Sequence, residues 1–394
     1  MKKSLILLVM LVVIISGWLV LNYLGITAAL KAILNDWSSP SSEVANHGQV
    51  VPYQLEVVAD NLFVPWSIAF TPDNRLLFTE RSGAIRQVIN GELQAEPLIT
   101  FPEVSTRSEE GLMGLVLDPD FANNHLLYTS YAYSKNSQLV VKVVKLLEEN
   151  QTLKIAGTLI DDIPAAPNHA GSRLRFGPDN KLYITTGDAT DRTLAQDKNS
   201  LAGKLLRLNA DGSVPADNPF PNSPIYSWGH RNSQGIDWHP ETKALYSTEH
   251  GPSLFDGPAG GDEVNLIKAG QNYGWPLVSH EKNQKGLISP LVLYTPAVAP
   301  ASGMFYSGKV FTQLKHSFLF GGLRGEGIYR VVFDEHDPAK VVFKEKVAGV
   351  EVGRVREITE GPDGLIYFST SNRDGRGDVQ AGDDKIYRLV PLQK

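Results

Sequence analysis

Cysteine is absent from the 394-residue chain. That omission excludes disulfides, cysteine-ligated zinc, iron–sulfur clusters and thiol catalysis, and it leaves oxygen or imidazole as the ligands for any metal site. An excess of basic residues is also lacking: 37 Lys and Arg stand against 43 Asp and Glu, a formal net charge of −6. With no basic stripe to displace counterions from phosphates, a general nucleic-acid surface is excluded. HExxH, the Walker loop, GxSxG and GxGxxG do not occur. Zinc-protease, P-loop, serine-hydrolase and Rossmann chemistry therefore have no support.

What is plentiful points to turns and strands. The chain carries 35 Gly and 24 Pro, with 42% hydrophobic and 20% charged residues. These are globular values with many chain reversals, and they predict an all-β body with a substantial core. At the start, Lys2 and Lys3 precede an uncharged run from Ser4 to Leu30. It is long enough for the roughly 20 residues that span a bilayer. The lysines in front favour an N-terminus in the cytoplasm and the remainder outside, so a periplasmic or extracytoplasmic location is expected. A cleaved signal peptide, with Thr27 and Ala29 as small residues at the cleavage site, and a retained membrane anchor are both open. The length of the run favours the anchor. Next comes SSPSSE (Ser38–Glu43), a linker in composition. The expected organisation is an anchor or signal peptide over 1–30, a linker over 31–52 and the folded body over 53–394.

Within that body one motif recurs. FTPDNRLLFTER starts at Phe70, LDPDFANNHLLYTSY at Leu117, FGPDNKLYITTGD at Phe176, WHPETKALYSTEH at Trp238 and EGPDGLIYFSTSN at Glu360. Each is a Pro-Asp or Pro-Glu turn leading into an apolar strand that ends in Ser or Thr. The gap between Pro240 and Pro362 is about two units long, which predicts a degenerate copy near residues 300–320, where FTQLKHSFLFGGL fits without the proline. Most units carry a further strand, as in GAIRQVINGE, GKLLRLNADG and GIYRVVFDE. Six such units suit a six-bladed β-propeller, with YQLEVVAD completing a sheet beside DKIYRLV and hiding an open edge. An array of β-sandwiches is the alternative.

Loops of a propeller converge on one end of its axis, so their polar residues can share a site although far apart in sequence. APNHAGSR holds His169 and Arg173, and SWGHRNSQG holds His230, Arg231, Asn232 and Gln234. STEHGP holds Glu249 and His250, GGDEVNLI holds Asp262 and Glu263, and Arg324, Arg354 and Arg356 follow. Singly, each has a plain structural reading as a hydrogen-bonded loop histidine or a strand-flanking arginine, and DGRGD (Asp374–Asp378) reads as a hairpin tip rather than an adhesion motif. Together, arginines beside imidazoles and carboxylates suit an anionic, oxygen-rich ligand with a hard cation. Glycines and HGP would let backbone carbonyls approach a calcium ion.

PWSIAFTPDNRLLFTERSGAIR, GLMGLVLDPDF, NHAGSRLRFGPDNKLYITTGD, AGKLLRLNADGSVPADNPF, YSWGHRNSQGI, TEHGP, GGDEVNLI, NYGWP and GRVREITEGPDG together resemble the soluble pyrroloquinoline-quinone (PQQ)-dependent aldose sugar dehydrogenases, the glucose/sorbosone dehydrogenase family. The resemblance runs in order from about Leu55 to Val390. It implies oxidation of an aldose sugar to a lactone, with electrons passing to a respiratory acceptor. His169 would then be the general base that takes the anomeric proton, since imidazole titrates near working pH. Arg231 and Asn232 would contact the quinone, and the guanidinium would stabilise charge as hydride arrives. Arg354 and Arg356 would hold cofactor carboxylates. The carbonyls of Gly251 and Pro252 would share a calcium ion with the cofactor, acting as a Lewis acid. Glu263 and the carbonyl of Tyr273 would bind a second, structural calcium.

Two cofactor-binding positions depart from the family pattern. Glu109 stands where Gln is usual, and Arg324 stands where Lys is usual. A carboxylate beside a tricarboxylate ligand is unfavourable unless protonated or paired. Two other classes therefore remain in view. One is a non-catalytic ligand- or partner-binding propeller. The other is a calcium-dependent lactonase, against which the arginines count.

Overall fold

The Pro-Asp segments fold as one turn used repeatedly. In Thr71–Arg75, Gly177–Lys181 and Gly361–Leu365 the first N–H donates to the carbonyl four residues on, and the fourth N–H donates back to the first carbonyl, all at 2.9–3.0 Å. Proline presets its own φ, and the residue two positions later takes a left-handed conformation: Asn74 (φ 65°), Asn180 (φ 55°) and Gly364 (φ 83°). Asn and Gly are the residues that tolerate that region. The Asp of the motif accepts from the N–H two residues on, as Asp179 does from Lys181 (3.1 Å) and Asp363 from Leu365 (3.0 Å). Its other oxygen accepts from a tyrosine hydroxyl of the following strand, Tyr183 at 3.0 Å and Tyr367 at 2.9 Å.

These turns join the first and second strands of six antiparallel sheets in a computed structural model that describes residues 52–392. The first strands, which line the axis of a six-bladed β-propeller, are Pro65–Phe70, Leu112–Leu117, Leu174–Phe176, Ser233–Trp238, Pro300–Phe305 and Val355–Glu360. Blade five is the degenerate unit: its turn widens to Tyr306–Ser317 around a short 3-10 segment, Thr312–Leu314, before the strand Phe318–Gly322. Blade two has the longest strands, joined by two-residue turns with both residues left-handed, Asn136–Ser137 and Asn150–Gln151. That geometry matches strand twist. The ring closes as the sequence predicts: Tyr53–Ala59 pairs antiparallel with Ile386–Pro391, with Leu55 opposite Leu389. The last blade thus takes its outer strand from the other end of the chain. The uncharged run Ser4–Leu30 and the linker up to residue 51 lie outside the described residues. Among the described residues no helix is long and apolar enough to cross a membrane.

Because each blade exposes two apolar faces, the core is divided into wedges between blades. Six clusters of buried hydrophobic residues occur among the described residues, one in each gap, such as Leu77, Leu112 and Leu146 between blades one and two. At the axis the filling is polar. Arg173, just before the third inner strand, pairs with Glu357 of the sixth, donates to Ser67 Oγ of the first (3.1 Å) and to the Gln234 carbonyl of the fourth (2.9 Å). Glu357 accepts from Ser302 Oγ of the fifth (2.6 Å), and Ser67 Oγ donates to the Leu115 carbonyl of the second (3.3 Å). Arg173 also sits 4.2 Å over the Trp66 ring. Burial pushes this guanidinium down to about 10 in spite of Glu357.

An axial pair of this kind leaves an uncompensated buried charge if halved. Arg173→Met is expected to cost about 3–5 kcal/mol in urea unfolding, and Arg173→Met with Glu357→Leu to regain most of it.

Candidate active site

The turns that carry the repeat and the loops that carry chemistry lie at opposite ends of the ring. The chain enters each inner strand at one end, leaves it through the Pro-Asp turn at the other, and returns along the second strand. Segments before inner strands and after second strands therefore share an end. They enclose a cavity of about 500 Å³ lined by Glu109, Asn168, His169, Arg231, His250, Gly251, Pro252, Asp262, Arg324, Arg354 and Arg376, among others. A cavity of similar volume at the opposite end is lined by turn residues such as Phe70, Pro72, Leu117 and Pro362, with no imidazole or guanidinium. The chemistry belongs to the first.

His169 lies in a left-handed conformation (φ 59°). Its carbonyl packs so closely on Gly187 that a Cβ there would overlap it. Its Nδ1 is 2.8 Å from Asp188 Oδ1, and Asp188 is buried, also accepting from Thr190 N (2.9 Å) and from Trp275 Nε1 (2.8 Å). An acceptor at Nδ1 places the ring proton there and leaves Nε2 as the basic nitrogen. Asp188 was not singled out from the sequence, although it closes the same motif, NHAGSRLRFGPDNKLYITTGD. The only available signal was an acid directly after the Gly that His169 packs on.

Arg231 is held by a strap. Its Nε donates to Asp256 Oδ2 (2.9 Å), and its terminal nitrogens reach the His250 carbonyl and Ser253 Oγ (both 3.4 Å). Its guanidinium carbon lies 5.5 Å from the Trp275 ring centroid. Arg231 is buried against the wall of the cavity it lines. Asn232 is fully buried and does not line the cavity; its Oδ1 accepts from Gly171 N (3.1 Å), while Nδ2 has no partner. His250 is kept neutral, its pKa lowered well below the usual value by burial and then by the charge of Arg231, and its Nε2 is 3.1 Å from the Pro300 carbonyl.

Gly251 and Pro252 line the cavity beside Asp262, whose carboxylate accepts from the N–H groups of Gly251, Val298 and Ala299, all at 2.7 Å. One buried side chain thus fixes two stretches of wall. Burial nevertheless pushes the Asp262 carboxyl above its ordinary value. The Pro252 carbonyl already accepts from Gly260 N at 3.2 Å.

The later arginines differ in placement. Arg324 is exposed on the cavity wall, and among the described residues its side chain has no hydrogen-bond or ion-pair partner. Arg354 lines the cavity, with Nε and one terminal nitrogen on Asp374 Oδ2 (2.9 and 2.8 Å) and the other on the Leu323 carbonyl (3.0 Å). Arg356 lies deeper and off the wall, bonded to Gln234 Oε1 (2.9 Å) and Ser371 Oγ (3.3 Å), and 3.6 Å from Asp374. Burial pushes it down to about 10. Burial opposes the charge of Asp374 too, but Arg356 and Arg354 outweigh it and hold that carboxyl below its usual range. Asp374 opens DGRGD, which lies, as expected, in the hairpin loop between Ile366–Thr370 and Ile386–Pro391, but the loop is not free: it is anchored in the site by an acid between two arginines.

Glu263 and Tyr273 stand away from the cavity, in a second cluster. Tyr273 stacks on His230 (4.6 Å, 20°), and His230 Nδ1 is 2.8 Å from Glu249 Oε2. Asn265 Nδ2 lies 2.8 Å from Glu263 and 3.5 Å from Glu249, while its Oδ1 is buried without a partner. Burial, and then the charge of Glu249, push the Glu263 carboxyl well above its usual value.

This arrangement sets one base, a ring of guanidiniums and a carbonyl-bearing loop around one cavity. The family model described as Glucose / Sorbosone dehydrogenase matches residues 62–387. The aldose sugar dehydrogenase YliI of Escherichia coli is 32% identical over 345 residues, covering 82% of this chain and 91% of that protein. Quinoprotein glucose dehydrogenase B of Acinetobacter calcoaceticus is 28% identical over 435 residues, covering 85% and 88%. The PQQ-bound aldose sugar dehydrogenase of Streptomyces coelicolor has the same fold, with a TM-score of 0.75 and 33% identity over 87% of this chain and 99% of that one. The chain therefore belongs to the glucose/sorbosone dehydrogenase family, whose sugar-oxidising relatives share this propeller over nearly its whole length.

Proposed function

We propose that the protein oxidises aldose sugars at the anomeric carbon to lactones, with PQQ and calcium bound in the cavity, outside the cytoplasmic membrane, and passes the electrons to a respiratory acceptor. The observation that carries this reading is His169, with Nδ1 on buried Asp188 and Nε2 free, in the same cavity as Arg231. The residues present fit an anionic quinone. Arg324 has no counter-charge among the described residues, Arg231 and Arg354 line the same wall, and the space of about 500 Å³ lies in the range of small-molecule sites. When bound, the quinone supplies the two-electron acceptor for the hydride leaving C1.

The chain's own residues do the rest. His169 Nε2 takes the proton of the anomeric hydroxyl, and Asp188 stabilises the imidazolium that results. Asp256 orients the Arg231 fork, leaving donors for negative charge that develops beside the cavity. Arg324 and Arg354 offer carboxylate recognition. Gly251 and Pro252 offer carbonyls to a calcium ion, a ligand type that suits this hard cation. Glu263 and the Tyr273 carbonyl would hold a second calcium, and Asn265 Oδ1, an acceptor without a partner, supports that reading. A carboxyl disfavoured as an anion by burial and by Glu249 gains from a divalent cation. Glu109, which with Arg324 spoke most for a non-redox binding propeller, is paired with Arg376, and that pairing supports the cofactor reading.

Two outcomes are expected. With PQQ, calcium and an aldose, purified protein reduces a dye, and His169→Ala lowers that rate by about 10²–10⁴ while quinone titration by absorbance still shows binding; no sugar-dependent reduction with no quinone uptake rejects the reading. Calcium at about a hundred times its Kd raises the unfolding free energy by about 2.7 kcal/mol, and a chelator or Glu263→Gln removes most of that gain in thermal melts.

A further inference from the structure

Glu109 enters the cavity from a loop shaped by its neighbour. Glu110, fully buried, accepts from Arg107 N (2.6 Å), Ser108 N (2.8 Å) and Ser105 Oγ (3.1 Å). Glu109 N donates to the Pro167 carbonyl (2.8 Å), tying this loop to the segment that carries His169. Its carboxylate is divided in use: Oε1 accepts from Arg376, while Oε2 is buried with no partner at the cavity wall. Arg376 reaches it from the sixth blade, out of DGRGD, and its second terminal nitrogen donates to Asn168 Oδ1 (3.0 Å), which also accepts from Ser108 Oγ (2.9 Å). The arm is well founded. Asp374 is locked between Arg354 and Arg356, Gly375 is left-handed (φ 89°), and a Cβ at Gly377 would lie 2.7 Å from Arg354 Cδ and Asn372 Cα.

We propose that Arg376 is a positioning residue: it clasps Glu109 and Asn168 across the cavity, cancels the carboxylate charge that would repel an anionic cofactor, and fixes the wall next to His169. The effect on the cofactor rests on the PQQ reading above. Half of the Arg376 side chain is exposed, so the clasp acts less through stability, where such pairs contribute little, than through the charge it sets inside the cavity.

The test has two arms. In protein free of quinone, amide hydrogen exchange over residues 374–378 is expected to quicken about tenfold or more in Glu109→Gln and in Arg376→Gln alike, because either change opens the clasp. Unaltered exchange in both overturns the proposal, whatever the protein binds. Quinone titration is the second arm: Arg376→Gln weakens binding about tenfold or more, equivalent to about 1.4 kcal/mol. Arg376→Lys keeps most of the affinity, and Glu109→Gln with Arg376→Gln restores it. A double variant as weak as Arg376→Gln, or Arg376→Gln as tight as wild type, overturns the charge-cancelling role. Absence of quinone uptake by the wild type would instead defeat the PQQ reading, leaving the exchange result to judge the clasp.

Discussion

The ring depends on what fills its axis. Six inner strands leave a gap that apolar side chains alone do not close here, and one arginine spans it. Through Arg173, Glu357 and two serines, all six blades are tied together by hydrogen bonds that reach across up to 184 residues of sequence. Such a pair is weak evidence of net stability, because desolvating two charges is costly. Its contribution is geometric: the donors of a planar guanidinium have fixed directions, so the inner strands have one set of positions. The loops that begin those strands inherit them.

That inheritance explains why the site holds so many like charges without flying apart. Apart from Arg324, each of the arginines at the cavity is paired with an acid: Asp256 with Arg231, Asp374 with Arg354 and with Arg356 beneath it, and Glu109 with Arg376. Each acid offsets part of the repulsion and aims the remaining N–H groups at the space left for a ligand. The same device orients His169, where Asp188 is itself fixed by Trp275 and Thr190. The charged lining of this pocket is built by pairs, with one member of each fixing the direction of the other.

The repeat was legible because its chemistry is local. A proline, an acid and an Asn or Gly within five residues specify a turn, and the tyrosine a few residues later bonds to the same acid, so six units could be counted and the ring closure foreseen. Family-like motifs led to His169, Arg231, Arg324 and Arg354, and these do meet around one cavity. Arg356 belongs to the layer beneath, and Asn232 is buried rather than on the wall. Asp188, Asp256 and Asp374 escaped notice since each acts through a residue it does not neighbour in sequence. DGRGD is a hairpin loop, as its glycines indicate, but its anchoring was not legible because the partners of Asp374 and Arg376 lie on other segments.

The sequence by itself determined the strands, the turns and the number of blades, because hydrogen bonds within a hairpin and the preferences of Pro, Asn and Gly act over a few residues. Only the tertiary structure decided which arginine plugs the axis, which faces the ligand, and which carboxylate is matched by Arg376. Those outcomes depend on burial and on distances between loops from different blades, and a charge takes its role from the partner within a few ångströms, whatever its place along the chain.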